Sequence, residues 1–437
     1  FFSVGVSRGM STAGAELPWP GVGAEAGGSA LLLLLAPVPL LGIVYALHLG
    51  LVILQAAEGH AFRVWKLCRE LVLLITFNVR LLPLAARIFH YYKCSSLPIV
   101  KDVFYGSPNN NYHNRLDVHF SGAGLAGTPQ PVVVFVYGGT WCSGDKSQYS
   151  LIGKTLREFG IVTVIPNYTL YPNGTMVNMV ADLSYALDWV VQHIHLFGGD
   201  PCRISLVGHS AGGHLATCVV LRRWLADHNI DISSVVQPPL PVAHPPPISL
   251  MPQIFGRALP ELQDECVELP PALHWGLANL QAVVPLSAPF DIQEHYEWER
   301  QRSVHLLSAM AAATGGHPDA HSALTMARAM GHTPLVRSSS VPPPVHVVHT
   351  LGDTTVPIKE AQQFFDTLVR SNLATGSSVA ALEGDHFSIV EDLMYARPQG
   401  ATLACLLEIV HRDPQEAAPS PARNTRSRAR SRVRARG

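Results

Sequence analysis

The sequence has few charged residues and few cysteines for its length. Only 14% of its 437 residues are Asp, Glu, Lys or Arg, and 48% are hydrophobic. This composition excludes an intrinsically disordered or fibrous chain. The seven cysteines are scattered, odd in number and without a Cys-x-x-Cys spacing. They indicate neither a disulfide framework nor a zinc site, and they favour a reduced domain that faces the cytosol.

The body of the chain lacks an excess of basic residues. Seven arginines lie in the last fifteen residues without an acidic residue among them, and 24 basic and 32 acidic residues remain elsewhere. The body is therefore acidic and offers no electrostatic basis for binding nucleic acid. We interpret residues 413–437 as a disordered Arg/Ser-rich tail, with a tether to anionic lipid as the alternative.

A long uncharged stretch precedes the main body. No charged residue occurs from Gly27 to Ala57, and the apolar run that begins at Leu31 is long enough to span a bilayer core of about 30 Å as a helix. A cleaved signal peptide would have a shorter apolar stretch and a basic start. The sequence therefore predicts a disordered segment at residues 1–29 and a transmembrane helix at about 30–57.

A second apolar stretch follows at about 71–92. It contains Arg80, and this mixture is typical of an amphipathic helix that lies on the membrane surface. Three basic residues separate the two stretches and only Arg8 precedes the first, so the positive-inside rule places the downstream domain in the cytosol. If the second stretch instead spans the membrane, that domain lies on the other side. Residues 30–93 form the predicted anchor region.

The main body alternates short β-branched runs with helical patterns. The predicted strands are Val132–Val136, Ile161–Ile165, Ile204–Val207, Ala282–Leu286 and Val345–His349. Apolar residues at helical spacing predict helices at 179–195, 213–224 and 358–368. Continuous apolar strands separated by helices predict a mostly parallel sheet with helices on both faces, in an α/β domain at residues 100–412.

A proline-rich segment at about 227–280 interrupts this alternation. Its runs at 237–241 and 244–247 cannot join a central strand because proline lacks an amide donor. We interpret the segment as an insertion at the edge of the sheet. A lid over an apolar site, a disordered surface excursion and a proline motif recognised by a partner are all open interpretations.

Ser210 lies in a Gly-x-Ser-x-Gly sequence between a predicted strand and a predicted helix. Gly208 and Gly212 relieve the crowding of a turn that is sharp enough to expose the serine hydroxyl above the sheet. A neutral hydroxyl is a poor nucleophile and needs a base, which in turn needs an orienting carboxylate. The strand–turn–helix context predicts Ser210 as a catalytic nucleophile.

Two further candidates follow later strands. Asp353 comes soon after the last predicted strand, and His386 follows the apolar run at 379–382. Loops at strand ends are where α/β sheets build sites, and serine, acid, histidine is the chain order of α/β-hydrolases. We predict that Asp353 orients His386 and that His386 is the general base. Asp385 and Asp291 are the alternative acids.

Acyl transfer also needs donors aimed at the developing oxyanion. Gly138 and Gly139 follow the first predicted strand, where hydrolases carry a glycine-rich oxyanion loop. We predict backbone donors from these two glycines and from Ala211, the residue after the nucleophile. His209 and His214 flank Ser210 without a carboxylate at ligand spacing, and we interpret them as packing residues rather than metal ligands.

With these motifs the chain resembles the α/β-hydrolase superfamily and, within it, the isoprenylcysteine methylesterase family. The elbow and the oxyanion loop specify only the superfamily. The narrower resemblance is carried by 132–141, Gly144-Asp145-Lys146, 167–173, 197–201, His295-Tyr296-Glu297 and the residues through Arg300 to His305, together with the apolar N-terminus. It covers roughly residues 132–221 and 282–411. Tyr137 stands where many relatives have His, and the proline-rich insertion has no counterpart.

The resemblance implies hydrolysis of the methyl ester on a C-terminal prenylated cysteine. It implies a location at the endoplasmic reticulum or Golgi membrane, a cytosol-facing catalytic domain and no cofactor. The implied partners are the membrane and a prenylated C-terminus or other apolar ester, and nucleic acid is not among them. A membrane-bound carboxylesterase or lipid-ester deacylase, a kynurenine-formamidase-like amidase and a non-catalytic hydrolase-fold binding protein are the alternatives.

Overall fold

The computed structural model describes most of the region assigned to the α/β domain. The described residues are 82–94, 98–107, 113–125, 127–230, 273–302, 304–305, 308–332, 342–396 and 400–412. The predicted segments at 1–29, 30–57 and 413–437 and most of the insertion at 227–280 lie outside them. Within the described residues, no helix is both long and apolar enough to cross a bilayer.

An eight-stranded sheet lies at the centre of the described residues. Its strands are β1 (Ile99–Phe104), β2 (Arg115–His119), β3 (Gln130–Val136), β4 (Val162–Pro166), β5 (Gly199–His209), β6 (Leu280–Leu286), β7 (His346–Thr350) and β8 (Ser378–Leu382). The spatial order is β1-β2-β4-β3-β5-β6-β7-β8. Strand β2 runs antiparallel to β1 and β4, and the other neighbours pair in parallel.

Helices connect and cover the strands. They are α1 (Leu82–Cys94), α2 (Ser150–Glu158), α3 (Met176–His193), α4 (Ala211–Asp227), α5 (Ile292–Gln301), α6 (Met310–Ala313), α7 (Ala323–Gly331), α8 (Ile358–Arg370), α9 (Ser388–Tyr395) and α10 (Ala401–Val410). Helices α3, α4, α7 and α8 pack side by side in one layer, and α1, α2, α9 and α10 in another. The predicted mostly parallel sheet is confirmed.

The central strands are apolar on both faces because helices cover both. The side chains from Val132 to Val136 in β3 are at most 1% exposed, and those of Val283 and Val284 in β6 are fully buried. A strand with only one buried face would alternate apolar and polar residues. This is why continuous apolar runs located the parallel strands in the sequence.

Strands β1 and β2 follow no apolar pattern, and the sequence does not predict them. In β2 the buried residues include Asp117, whose Oδ1 lies 2.7 Å from Nζ of Lys146. The hydroxyl of Tyr92 donates to Asp117 Oδ2 at 2.7 Å. A buried charge is tolerated when it is paired and hydrogen-bonded in this way, so β2 forms without an apolar run.

Helix α1 is the described part of the second apolar stretch at 71–92. Its buried side chains are Leu84, Ile88, Tyr91 and Tyr92, whereas Leu82 is 62% exposed. The helix packs against α2. The apolar side of this amphipathic helix therefore contacts the α/β domain, and residues 71–81 lie outside the described residues.

Candidate active site

Ser210 occupies a sharp turn between β5 and α4. Its backbone has a positive φ of 52° with ψ −124°, which residues other than glycine rarely adopt, and its amide donates to the carbonyl of Leu286 at 2.9 Å. A Cβ atom on Gly208 would collide with the carbonyl of Gly212, and one on Gly212 would collide with the carbonyl of Val136. Both glycines are therefore required by close backbone approach, as the motif predicts.

The three side chains of the predicted triad lie in one hydrogen-bonded line. Nε2 of His386 lies 3.0 Å from Oγ of Ser210, and Nδ1 of His386 lies 2.7 Å from Oδ2 of Asp353. The serine is 176 residues and the acid 33 residues from the histidine in the chain. These distances suit a base that removes the serine proton while its other nitrogen donates to a carboxylate.

Asp353 is held on both carboxylate oxygens. While Oδ2 faces His386, Oδ1 accepts hydrogen bonds from the amides of Thr355 and Val356, each at 2.8 Å. Burial raises the pKa of Asp353, but the His386 side chain and the Val356 amide outweigh it and hold the pKa below its ordinary value. The carboxylate is therefore ionised and fixed in orientation.

The two alternative acids have other partners. Oδ1 of Asp385 accepts from the amides of Phe387 and Ser388 at 3.0 and 2.9 Å, at the start of α9. Oδ1 of Asp291 accepts from the amide of Glu294 at 3.0 Å and caps α5. Each carboxylate accepts hydrogen bonds from amides at the beginning of a helix, and neither faces Nδ1 of His386.

Further side chains hold the acid loop, which we define as Leu351–Pro357. Nε2 of His349 lies 2.9 Å from the carbonyl of Val356 and 3.5 Å from Oδ2 of Asp353. Trp298 and Arg302 donate to other carbonyls of this loop at 3.2 and 2.7 Å. The sequence places His349 at the end of a predicted strand. It gives no indication of the contacts of Trp298 and Arg302, because these depend on how the acid loop folds.

The predicted oxyanion loop lies against the nucleophile. A Cβ atom on Gly138 would lie 2.9 Å from Cβ of Ser210, and Gly139 has a φ of +136°. Ala211 is the first residue of α4, where a helical amide has no intrahelical acceptor. Gly138 and Ala211 thus border Ser210, and Gly139 is one residue further along the loop.

Aromatic side chains anchor this loop. Trp141 is 2% exposed, and its Nε1 donates to Nδ1 of His214 at 3.3 Å. The hydroxyl of Tyr168 donates to the carbonyl of Tyr137 at 2.9 Å, and the two rings stack with centroids 4.8 Å apart. Tyr137, which departs from the family pattern, is therefore accommodated by stacking, with its carbonyl bonded.

The two histidines that flank Ser210 are buried and neutral. Burial lowers the pKa of His209 to about 3 and that of His214 to about 4. Nε2 of His209 lies 2.9 Å from the carbonyl of His386, and Nε2 of His214 lies 2.6 Å from the carbonyl of His321. Across the described ranges, no three or more His, Cys, Asp or Glu side chains are arranged to hold a metal ion.

Comparison with known families identifies the family of this chain. The BD-FAE profile matches residues 116–368, more than half of the chain. The chain belongs to the BD-FAE family. The range that matches BD-FAE includes Ser210 and Asp353 and ends before His386, which this structure brings to the other two residues.

Curated relatives of this BD-FAE chain include plant isoprenylcysteine methylesterases, which confirms the resemblance. A probable isoprenylcysteine alpha-carbonyl methylesterase of Oryza sativa subsp. japonica is 27% identical over 308 residues, 70% of this chain and 60% of the relative. The Arabidopsis thaliana isoprenylcysteine alpha-carbonyl methylesterase is 26% identical over 301 residues, 68% and 59% of the two chains. The alignment thus spans about 60% of these relatives' length.

Two other comparisons are broader. A probable carboxylic ester hydrolase of Mycobacterium tuberculosis is 26% identical over 245 residues, 56% of this chain and 46% of the relative. The crystal structure of esterase B from Lactobacillus rhamnosis matches with a TM-score of 0.51 and 15% identity, covering 78% of this chain and 94% of that one. The structural match confirms the α/β-hydrolase fold of the BD-FAE domain.

Proposed function

We propose that this BD-FAE member is a serine hydrolase that cleaves carboxylic esters through an acyl-enzyme on Ser210. The observation that carries the proposal is the position of His386. Its Nε2 lies 3.0 Å from the Ser210 hydroxyl and its Nδ1 lies 2.7 Å from Asp353. The proposed base is thereby within hydrogen-bond reach of both the nucleophile and the orienting acid.

In the acylation step, Oγ of Ser210 attacks the ester carbonyl carbon while its proton passes to Nε2 of His386. Asp353 stays ionised, accepts a hydrogen bond from Nδ1 of His386 and stabilises the imidazolium that forms. Negative charge develops on the former carbonyl oxygen, where the amides of Gly138, Gly139 and Ala211 are the proposed donors. The C–O bond then breaks, and His386 returns the proton to the leaving alcohol.

In the deacylation step, a water molecule takes the place of the alcohol. His386 accepts one proton of this water as its oxygen attacks the acyl carbon. The bond to Ser210 Oγ then breaks, the serine recovers its proton from His386, and the carboxylic acid leaves. One ester and one water thus yield one acid and one alcohol.

The proposed substrate is the methyl ester of a C-terminal isoprenylcysteine. The names of the plant relatives support this choice. The uncharged stretch from Gly27 to Ala57 supports a membrane location, because a prenylated substrate partitions into the bilayer. We propose that the protein is anchored in the endoplasmic reticulum or Golgi membrane, that its catalytic domain faces the cytosol, and that it meets prenylated C-termini there.

The substrate is tested with full-length protein in membranes. Methanol release from a farnesylcysteine methyl ester is measured beside hydrolysis of a short-chain aryl ester. Ser210→Ala should abolish both activities. Ser184→Ala is the matched control, because Ser184 is a buried serine of α3 that bonds the carbonyl of Val180, and it should retain both.

Each other outcome contradicts a stated part of the proposal. Turnover of the aryl ester alone, lost in Ser210→Ala, would assign a general carboxylesterase; the mycobacterial relative is named a probable carboxylic ester hydrolase. Turnover that survives Ser210→Ala would remove the serine mechanism. Absence of turnover of either ester by the unmodified protein would favour a binding protein with a hydrolase fold.

The membrane location has its own test. Membranes that contain the full-length protein are washed with alkaline carbonate, which releases peripheral proteins. Retention in the pellet is expected for a chain with an apolar run of this length. Complete release into the supernatant would contradict the anchor. Protease digestion of sealed microsomes should degrade the catalytic domain if it faces the cytosol, and protection would reverse the proposed orientation.

A further inference from the structure

His209, the residue immediately before the nucleophile, contacts the loop that carries the proposed base. It is the last residue of β5 and is 2% exposed. Its Nε2 lies 2.9 Å from the carbonyl oxygen of His386, and the two rings have centroids 4.9 Å apart. A carbonyl oxygen only accepts hydrogen bonds. Nε2 of His209 therefore carries the proton and donates it to the main chain of His386.

The other ring nitrogen of His209 faces the oxyanion loop. With the proton on Nε2, Nδ1 presents a lone pair, and this atom is buried without a hydrogen-bond partner among the described residues. A Cβ atom on Gly138 would lie 3.3 Å from it. An unpaired buried acceptor costs about 1–3 kcal/mol. An apolar side chain would avoid this cost, so packing alone does not account for a histidine here.

His209 does not act as a second base. Burial and, to a smaller extent, the neighbouring His386 lower its pKa to about 3. The ring of His209 is therefore neutral near pH 7. Its contribution lies in the hydrogen bond that it donates.

The loop that carries His386 is held at several points, including a hydrogen bond from the amide of Gly352 to the carbonyl of Gly384 at 2.9 Å. It connects β8 to α9, and Gly384 within it has a φ of +128°. Oγ1 of Thr350 donates to the carbonyl of Asp385 at 3.0 Å. The hydrogen bond that Nδ1 of His386 donates to Asp353 orients the imidazole, whereas the one that His209 donates holds the backbone of His386. Together they determine where Nε2 of His386 points.

We propose that His209 is a positioning residue that holds the main chain of His386 so that its Nε2 stays aimed at Ser210. The inference rests on the proposed function, in which His386 is the base. A displacement of about 1 Å in catalytic geometry can lower a rate by about 10²-fold. The Gly-His-Ser-Ala-Gly sequence thus places the nucleophile and the support of its base on adjacent residues.

The test compares three replacements of His209, measured with the short-chain aryl ester. His209→Leu removes the donor. His209→Asn places its amide near the position of Nδ1, too short to reach the His386 carbonyl, whereas His209→Gln can place an amide donor near the position of Nε2. His346→Leu is the matched control, since His346 is a buried neutral histidine at the start of β7, bonded to Ser378.

We expect His209→Leu and His209→Asn to lower kcat by about 10²-fold with little change in KM. His209→Gln should recover most of this loss, and His346→Leu should retain the original kcat. Thermal unfolding of each variant shows that the comparison is made on folded protein. If His209→Leu does not fold, the comparison of Asn with Gln decides.

Three results would overturn the inference. They are full kcat in folded His209→Leu or His209→Asn, equal loss in Gln and Asn, or a loss of equal size in His346→Leu. The proposed function fails separately, when Ser210→Ala retains turnover. Ser210-dependent turnover with active His209→Asn would reject only the role of His209.

Discussion

Asp353 bonds His386 at 2.7 Å across 33 residues of chain. The adjacent Asp385 instead bonds the amides of Phe387 and Ser388. Strands β7 and β8 are parallel neighbours, so the loops after them leave the same edge of the sheet and meet there. The acid is therefore selected by strand pairing, not by proximity in the sequence.

Replacing Asp353 by Asn tests this selection. An asparagine leaves the shape of the site in place but favours the wrong imidazole tautomer, because its amide donates where the carboxylate accepted. We expect kcat for the aryl ester to fall by about 10⁴-fold. Steady-state kinetics with purified Asp353→Asn measure it, and wild-type activity would remove Asp353 from the mechanism.

Asp385→Ala is the matched comparison. The substitution removes the acceptor for the amides of Phe387 and Ser388 at the beginning of α9. Loss of such a capping acceptor costs about 1 kcal/mol of stability. We expect a lower urea midpoint and a kcat close to wild type. A loss of kcat as large as that of Asp353→Asn would show that both acids serve His386.

His214→Phe tests the anchor of the oxyanion loop. It removes the acceptor for Nε1 of Trp141. Loss of one oxyanion donor costs about 10²–10³-fold in kcat, and a loosened loop should cost less, about tenfold. Trp141→Phe should have a similar effect. The double variant should show little additional loss, because both substitutions break the same hydrogen bond between Trp141 and His214. Fully additive losses of kcat in the double variant would show that Trp141 and His214 act independently.

The buried His119 predicts how stability depends on pH. Burial, together with the charges of Lys146 and Lys101, lowers its pKa from 6.5 to about 3. Between these values the unfolded chain binds a proton that the folded chain does not. This contribution is complete above the unfolded pKa of 6.5 and is lost as the pH falls towards 3.

Urea unfolding from about pH 7 to about pH 5 measures this effect. Below the unfolded pKa, His119 should contribute a slope of about 1.4 kcal/mol per pH unit. In His119→Asn, the free energy of unfolding should depend less steeply on pH by that amount. Parallel curves for the two proteins would show that His119 titrates alike in both states.

Much of the site can be read from local sequence. Gly208, Ser210 and Gly212 mark the turn in the sequence. A Cβ atom on Gly208 is excluded by Gly212, which is close by in the chain, whereas one on Gly212 is excluded by the distant Val136. The five predicted strands are located for a related reason: a strand buried on both faces has to be continuously apolar. The chain order of Ser210, Asp353 and His386 adds the candidate acid and base.

Other features depend on residues that are distant in sequence. Buried Asp117 in β2 is stable only because Lys146 and Tyr92 reach it, and no local pattern announces such a partner. The tautomer of His209 is determined by a carbonyl 177 residues away.

The sequence by itself determined the α/β class and the candidates for nucleophile, acid and base, because local steric limits and the spacing of buried residues act between near neighbours. Only the tertiary structure decided that Asp353 rather than Asp385 faces His386, and that His209 holds the same residue from its main chain. These choices depend on which strand ends become neighbours. The order of the strands in the sheet determines which ends are adjacent, and this order is a property of the whole folded chain.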